Sequence, residues 1–203
     1  MVRVMRLAVG AAVILFAGAV IAQPPKEADG GYFPLKAKSK WTYKVQDQTV
    51  EVVVAGNEKF NNEECTKVDT LVNGKVVASE LFAVKADGVY RVKVKDDKVD
   101  PPVKVLELPV KKGASWAVKS KVGNQMVTGT FKVADDKAKL KVMGKEMETV
   151  AVEGDDLDVA GTKTTVKLWF AKDVGIAKLS YKIQDAESVL ELEKYEPGGA
   201  KGQ

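Results

Sequence analysis

Four aromatic residues carry the strongest hint of recognition chemistry in this chain. They are Trp41 and Tyr43 in KWTYKV, Trp116 in ASWAVK, and Trp169 beside Phe170 in LWFAKDVGIAKL. Large rings with one polar handle each give an apolar ligand area to pack on and a group to orient it. Trp41, Tyr43, Trp116 and Trp169 are therefore the candidate ligand-binding residues, and lipid or another apolar small molecule is the ligand class they suit. For Trp169 three roles stay open: covering a sheet edge, packing under a loop, or lining the mouth of a site.

The catalytic side-chain sets are mostly missing. The chain has no histidine, which removes the common zinc sites and both Ser-His-Asp and Cys-His catalysis. Ser39 lies between Lys38 and Lys40, and Ser120 between Lys119 and Lys121. Neighbours on a strand point to opposite faces, so these are poor Ser-Lys dyads. Cys65 is the single cysteine. It cannot close an intramolecular disulfide and has no histidine base, so it reads as a small, half-buried apolar side chain. A disulfide between two copies, giving a dimer through Cys65, is the alternative. Acidic clusters occur at Asp96-Asp97, Asp135-Asp136 and Asp155-Asp156-Leu157-Asp158. The last, in GDDLDVAG, offers hard oxygen ligands in a glycine-flanked loop but lacks the EF-hand spacing; a solvated turn is the plainer reading. There is no glycine-rich phosphate loop. No catalytic residue, metal site or cofactor is assigned, and a non-enzymatic protein is expected.

The chain begins with Arg3 and Arg6, followed by an uncharged run from Leu7 to Ala22. With Val20 and Ala22 ahead of Gln23, this reads as a secretory signal peptide over residues 1–22, cleaved between Ala22 and Gln23. The run falls short of the roughly 20 apolar residues of a spanning helix. A periplasmic or secreted mature chain that does not span the membrane is expected. It would have 181 residues and a net charge of +2 once the two arginines leave the +4 total. That length suits one domain, and that charge is too small to argue for a nucleic-acid partner. The 32 basic residues comprise Arg3, Arg6, Arg91 and 29 lysines. Lysine, a hydrated point charge, makes a solvated surface; arginine is the planar fork that grips carboxylates and phosphates.

The element that must position the aromatics is the β-strand. Between a flexible leader at 23–31 and a flexible tail at 197–203, the apolar period is two rather than 3.6. Trp41, Tyr43 and Val45 share one face. Val50, Val52 and Val54 switch parity, so a turn or bulge belongs near 46–49. Asn73-Gly74 and Asp87-Gly88 are hairpin signals. In VYRVKVK the residues Tyr90, Val92 and Val94 point one way, and Arg91, Lys93 and Lys95 the other. Pro101-Pro102 bars a central strand, so KDDKVDPP reads as a loop; GDDLDVAG reads as another. Trp116 and Val118 face inward. In VKLWFAK, Val166, Leu168 and Phe170 share the core face while Trp169 points away. Residues 186–196 are read as a final strand. The predicted fold is all-β: one antiparallel meander of about eleven strands over residues 32–196, forming a barrel or a strongly curved half-barrel.

The opening YFPLKAKSKWTYKV and the closing LWFAKDVGIAKL resemble the two ends of an uncharacterised family of exported bacterial all-β domains, the TapB-like group. More distantly the chain is similar to the half-barrels of LolA/LolB-type lipoprotein carriers, which close their sheet with helices over an apolar cavity. The resemblance implies a compartment and a fold, and it carries over no lipid-binding residue. Two functions follow as expectations. One is an exported binding domain that carries an apolar ligand in the curved sheet. The other is an envelope protein–protein module with a filled core.

Overall fold

The computed structural model describes residues 31–199; the expected signal peptide, residues 23–30 of the leader and the last residues of the tail lie outside them. Twelve strands follow in chain order: β1 Lys40–Val45, β2 Gln48–Phe60, β3 Glu63–Val72, β4 Lys75–Lys85, β5 Gly88–Val94, β6 Asp97–Glu107, β7 Ser115–Val122, β8 Gln125–Val142, β9 Lys145–Val159, β10 Thr162–Ala171, β11 Gly175–Ile183 and β12 Ala186–Glu196. Each is hydrogen-bonded antiparallel to the next, and β1 pairs with β12, so the meander closes into a barrel. The all-β expectation holds, with twelve strands rather than eleven and with closure by strands. Residues 186–196 are strand, as alternation predicts. No helix occurs among the described residues.

The local chemistry explains the turns. Gln46 takes φ 53° between β1 and β2, and the hairpin sets Trp41 opposite Val52 and Tyr43 opposite Val50. The parity switch is thus a turn, and all four side chains share the inner face. Asn73 and Gly74 both adopt positive φ, 51° and 73°, as a tight hairpin twisted with its strands requires.

Three local readings are corrected. β6 runs through Pro101-Pro102. The prolines are tolerated because the ladder lapses around them: on the β5 side the register jumps from Lys93↔Lys98 to Arg91↔Val103. On the β7 side the ladder consists of Val99↔Val122 and Asp100↔Lys121. Missing donors cost nothing where no ladder bond exists. Asp155, Asp156 and Asp158 lie on β9 rather than in a loop. The Asp135-Asp136 cluster lies within β8, where the register shifts repeatedly against β9. Finally, β5 does not keep a single alternation, and Val94 does not share a face with Tyr90 and Val92. Arg91 pairs with Phe82 on the inside, and Tyr90 and Val92 pack outside, with Cys65, Leu81 and Ala83. A bulge at Val92 then returns Val94 to the interior, because each inserted residue reverses the alternation.

Twelve strands enclose more space than the eight whose side chains just fill a barrel. The protein fills one end only. The two ends of the described segment, at Gly31 and Gly198, and the β10–β11 hairpin gather at one rim. There Phe33 and Pro34 of the strand-free segment 32–38 turn inward, and Asp173 N donates to Gly31 O at 2.6 Å. Phe33 sits 5.2 Å from the ring of Phe82 and 6.2 Å from that of Phe170. The tail is held there too: Gly198 N donates to Oγ of buried Ser39 at 2.9 Å. The outer surface carries cross-strand charge pairs such as Lys167–Glu153 at 3.3 Å and Lys178–Glu191 at 2.8 Å.

Candidate functional site

The space left by twelve strands is a cavity of about 510 Å³ inside the barrel. Its wall is built from the inward rows of all twelve strands. Alternation brings Val50, Val127, Val166, Leu179 and Leu190 to it. Toward the filled rim its floor is Phe33, Tyr43, Phe82 and Phe170, all buried. Toward the opposite rim its wall residues are half-exposed, including Thr70, Val94, Val159 and Tyr181, and Gln125 is exposed. The cavity therefore opens at the rim formed by the β1–β2, β3–β4, β5–β6, β7–β8, β9–β10 and β11–β12 hairpins. A largely aliphatic chamber of this volume, with a few polar groups, has the character of a small-molecule site.

The four sequence candidates separate. Tyr43 lines the cavity. Its hydroxyl donates to Ile176 O at 2.7 Å, and burial pushes the phenol well above its ordinary value. Trp41 is buried at the filled rim, stacked on Tyr195 with ring centroids 5.4 Å apart, and its Nε1 donates to Val174 O at 2.5 Å. Both side chains reach past β12 to bond carbonyls at the start of β11, beside the bulge where the register slips between Trp169↔Lys178 and Phe170↔Ile176. Gly175, at φ 97°, leaves room for the indole: a Cβ there would stand 3.3 Å from Trp41 Nε1. Only a void of about 40 Å³ survives around this plug.

Trp116 stacks on Phe131 at 5.9 Å, and its Nε1 donates to Lys104 O at 2.8 Å. Together with the bond from Ser120 Oγ to Pro101 O at 2.6 Å, it bridges β6 and β7 beyond their last ladder pair. Trp116 is thus a stitch in the barrel wall. Trp169 stands on the outer face, with Lys178 Nζ 5.7 Å over its ring. It is outside the cavity, while its neighbour Phe170 is fully buried on the cavity floor. The Asp-Val-Gly of the same stretch is the turn that receives Trp41.

Sequence reasoning missed two charged residues on the wall. Arg91 Nε lies 2.9 Å from Glu80 Oε1. The approach is too bent for a hydrogen bond, so Nε is buried without a hydrogen-bond partner. The guanidinium carbon lies 5.7 Å from the centroid of the Phe82 ring, within cation–π range. The usable signal was Arg91's uniqueness beyond residue 22. The remaining candidates lie elsewhere. Cys65 is 2% exposed in the outer cluster, and burial, then the nearby Glu63 carboxylate, push its thiol up. Ser39 and Ser120 spend their hydroxyls on Gly198 N and Pro101 O. Asp156 accepts from Thr130 N at 3.0 Å and Asp158 from Gly161 N at 2.7 Å.

Two solved structures share this fold. One is a protein of Parabacteroides distasonis assigned as a lipoprotein: 10% identity, TM-score 0.54, with 83% of this chain and 99% of that one covered. The other is a protein of Bacteroides fragilis assigned as exported and described as having a YmcC-like fold: 10% identity, TM-score 0.55, with 82% and 99% covered. At that identity the likeness establishes the fold. No protein-family profile matches the chain, and no curated protein does.

Proposed function

We propose that this protein is an exported, non-enzymatic binding domain that holds one apolar or amphipathic small molecule in the open half of its barrel. The observation that carries the reading is the 510 Å³ chamber walled by valine, leucine and phenylalanine. Export is supported by the basic-then-apolar start of the sequence and by the descriptions of the two structures that share the fold. A binding role is supported over catalysis because the wall carries a single opposite-charge pair, Glu80 and Arg91, amid mostly aliphatic side chains. The chamber suits one small ligand rather than a multi-chain lipid with its protein.

Native mass spectrometry of protein purified from an exported preparation, with its organic extract analysed alongside, tests this. A one-to-one added mass that recurs in the extract is expected. A bare chain that also takes up no added amphiphile contradicts the reading. A second reading, an envelope protein–protein module, is favoured by Val76 and Val77, 56% and 49% exposed on β4 beside an outer groove of about 350 Å³. A reproducible partner lost on Val77→Lys would support it.

A further inference from the structure

Beyond residue 22 the chain uses 29 lysines and a single arginine, Arg91, and that arginine faces the cavity. Desolvating a charge carries a cost that an outward-pointing side chain would avoid. Glu80 offsets part of it, but the pair is made at Nε with a bent approach that leaves this N–H without a hydrogen bond. A guanidinium has five N–H donors, more than one carboxylate oxygen at a poor angle satisfies. Arg91 is also held in place: Phe82 lies beneath the guanidinium, and the β5 bulge fixes its direction. Its side chain lines the chamber and keeps 39% of its surface accessible. Around it the wall is Val94, Val103 and Val105, with Thr70 and Gln125 also on the lining.

We infer that Arg91 is the head-group anchor of the cavity and that the preferred ligand is a single-chain amphiphile with an acidic head, carboxylate or phosphate. This rests on the binding reading above. The apolar tail lies along the valine and leucine rows, and the acid meets the fork that matches it bidentately. Glu80 is the internal counter-ion of Arg91, and the incoming acid competes with it.

The test is calorimetric titration of the mature chain with dodecanoate, dodecyl phosphate and dodecanol. At least one acid is expected to bind about tenfold or more tighter than the alcohol, as a charge-assisted contact supplies; the order of the two acids identifies the head group. Arg91→Met is expected to bring the acids to the level of dodecanol while leaving dodecanol unchanged, and Glu80→Gln to strengthen the acids. Arg91→Lys, which keeps the charge and loses the fork, is expected to weaken the acids partially, and it serves if the methionine variant misfolds. Equal binding of acids and alcohol by the native chain overturns the inference and leaves the binding reading intact. So does an equal loss of all three ligands in folded Arg91→Met. Failure of all three ligands on the native chain removes both.

Discussion

The two halves of the barrel follow the same rule of alternation and end up differently. At the rim that gathers the ends of the described segment, aromatic side chains, with Phe33 and Pro34 of the segment 32–38, fill the interior to a residual void of about 40 Å³. At the opposite rim, valines and leucines of the same inward rows leave about 510 Å³. Strand number explains the contrast: twelve strands cannot be filled by one layer of aliphatic side chains. Filling needs large rings and an extra piece of backbone, and the protein spends these at one end only. The packed floor is where burial carries the stability, and the open half leaves its inward rows uncovered.

The contrast should first show in stability. Phe170 is 0% exposed on the floor, and Phe170→Ala is expected to cost about 3–5 kcal/mol through cavity creation. Val127→Ala in the open half should cost about 1 kcal/mol or less, since its removed methyls already face space. Urea unfolding of the two variants checks this, and equal costs would erase the distinction. Next, Trp41→Phe removes the indole bond to Val174 O and orphans a buried carbonyl, so a loss of about 1–2 kcal/mol is expected. Ser120→Ala breaks one stitch between β6 and β7. It should cost about 1 kcal/mol and speed amide exchange in those two strands ahead of the rest of the barrel.

The smallest effect belongs to the outer face. There the Tyr90 hydroxyl, then Lys104, hold the Asp87 carboxyl below its ordinary value. A depressed carboxyl contributes stability that is full above its unfolded value, about 3.9, and that is lost as pH falls through the lower folded value. Because the Asp87 side chain is 61% exposed, Asp87→Asn should cost well under about 1 kcal/mol at neutral pH. The difference from the native chain should vanish in acid; a gap that persists there would place the effect elsewhere.

Much of the inward-facing set was legible in the sequence. Trp41, Tyr43, Trp116, Val118 and Phe170 alternate strictly and face inward, as read. Trp169 points out, as its parity requires. What escaped was non-local. Phe33 precedes the first strand in a proline segment, where period two says nothing. Its role appears only when the barrel rim exists to receive it. Arg91 looks outward by simple alternation, because Tyr90, Val92 and Val94 make the more apolar row. The bulge at Val92 and the outer pocket around Cys65 and Leu81 reverse that choice. Pro101-Pro102 reads as a break because a lone sequence does not reveal that the ladder is already interrupted there. Closure itself rests on β1 finding β12 from the other end of the chain.

The most direct measurement is methyl NMR of the valine- and leucine-labelled mature chain during titration with dodecanol. Shifts are expected at Val127, Val166, Leu179 and Leu190, with Val133 and Val150 unmoved in the packed core. Shifts confined to Val76 and Val77 on the outer face, or none at all, would contradict an open barrel half that binds an apolar ligand.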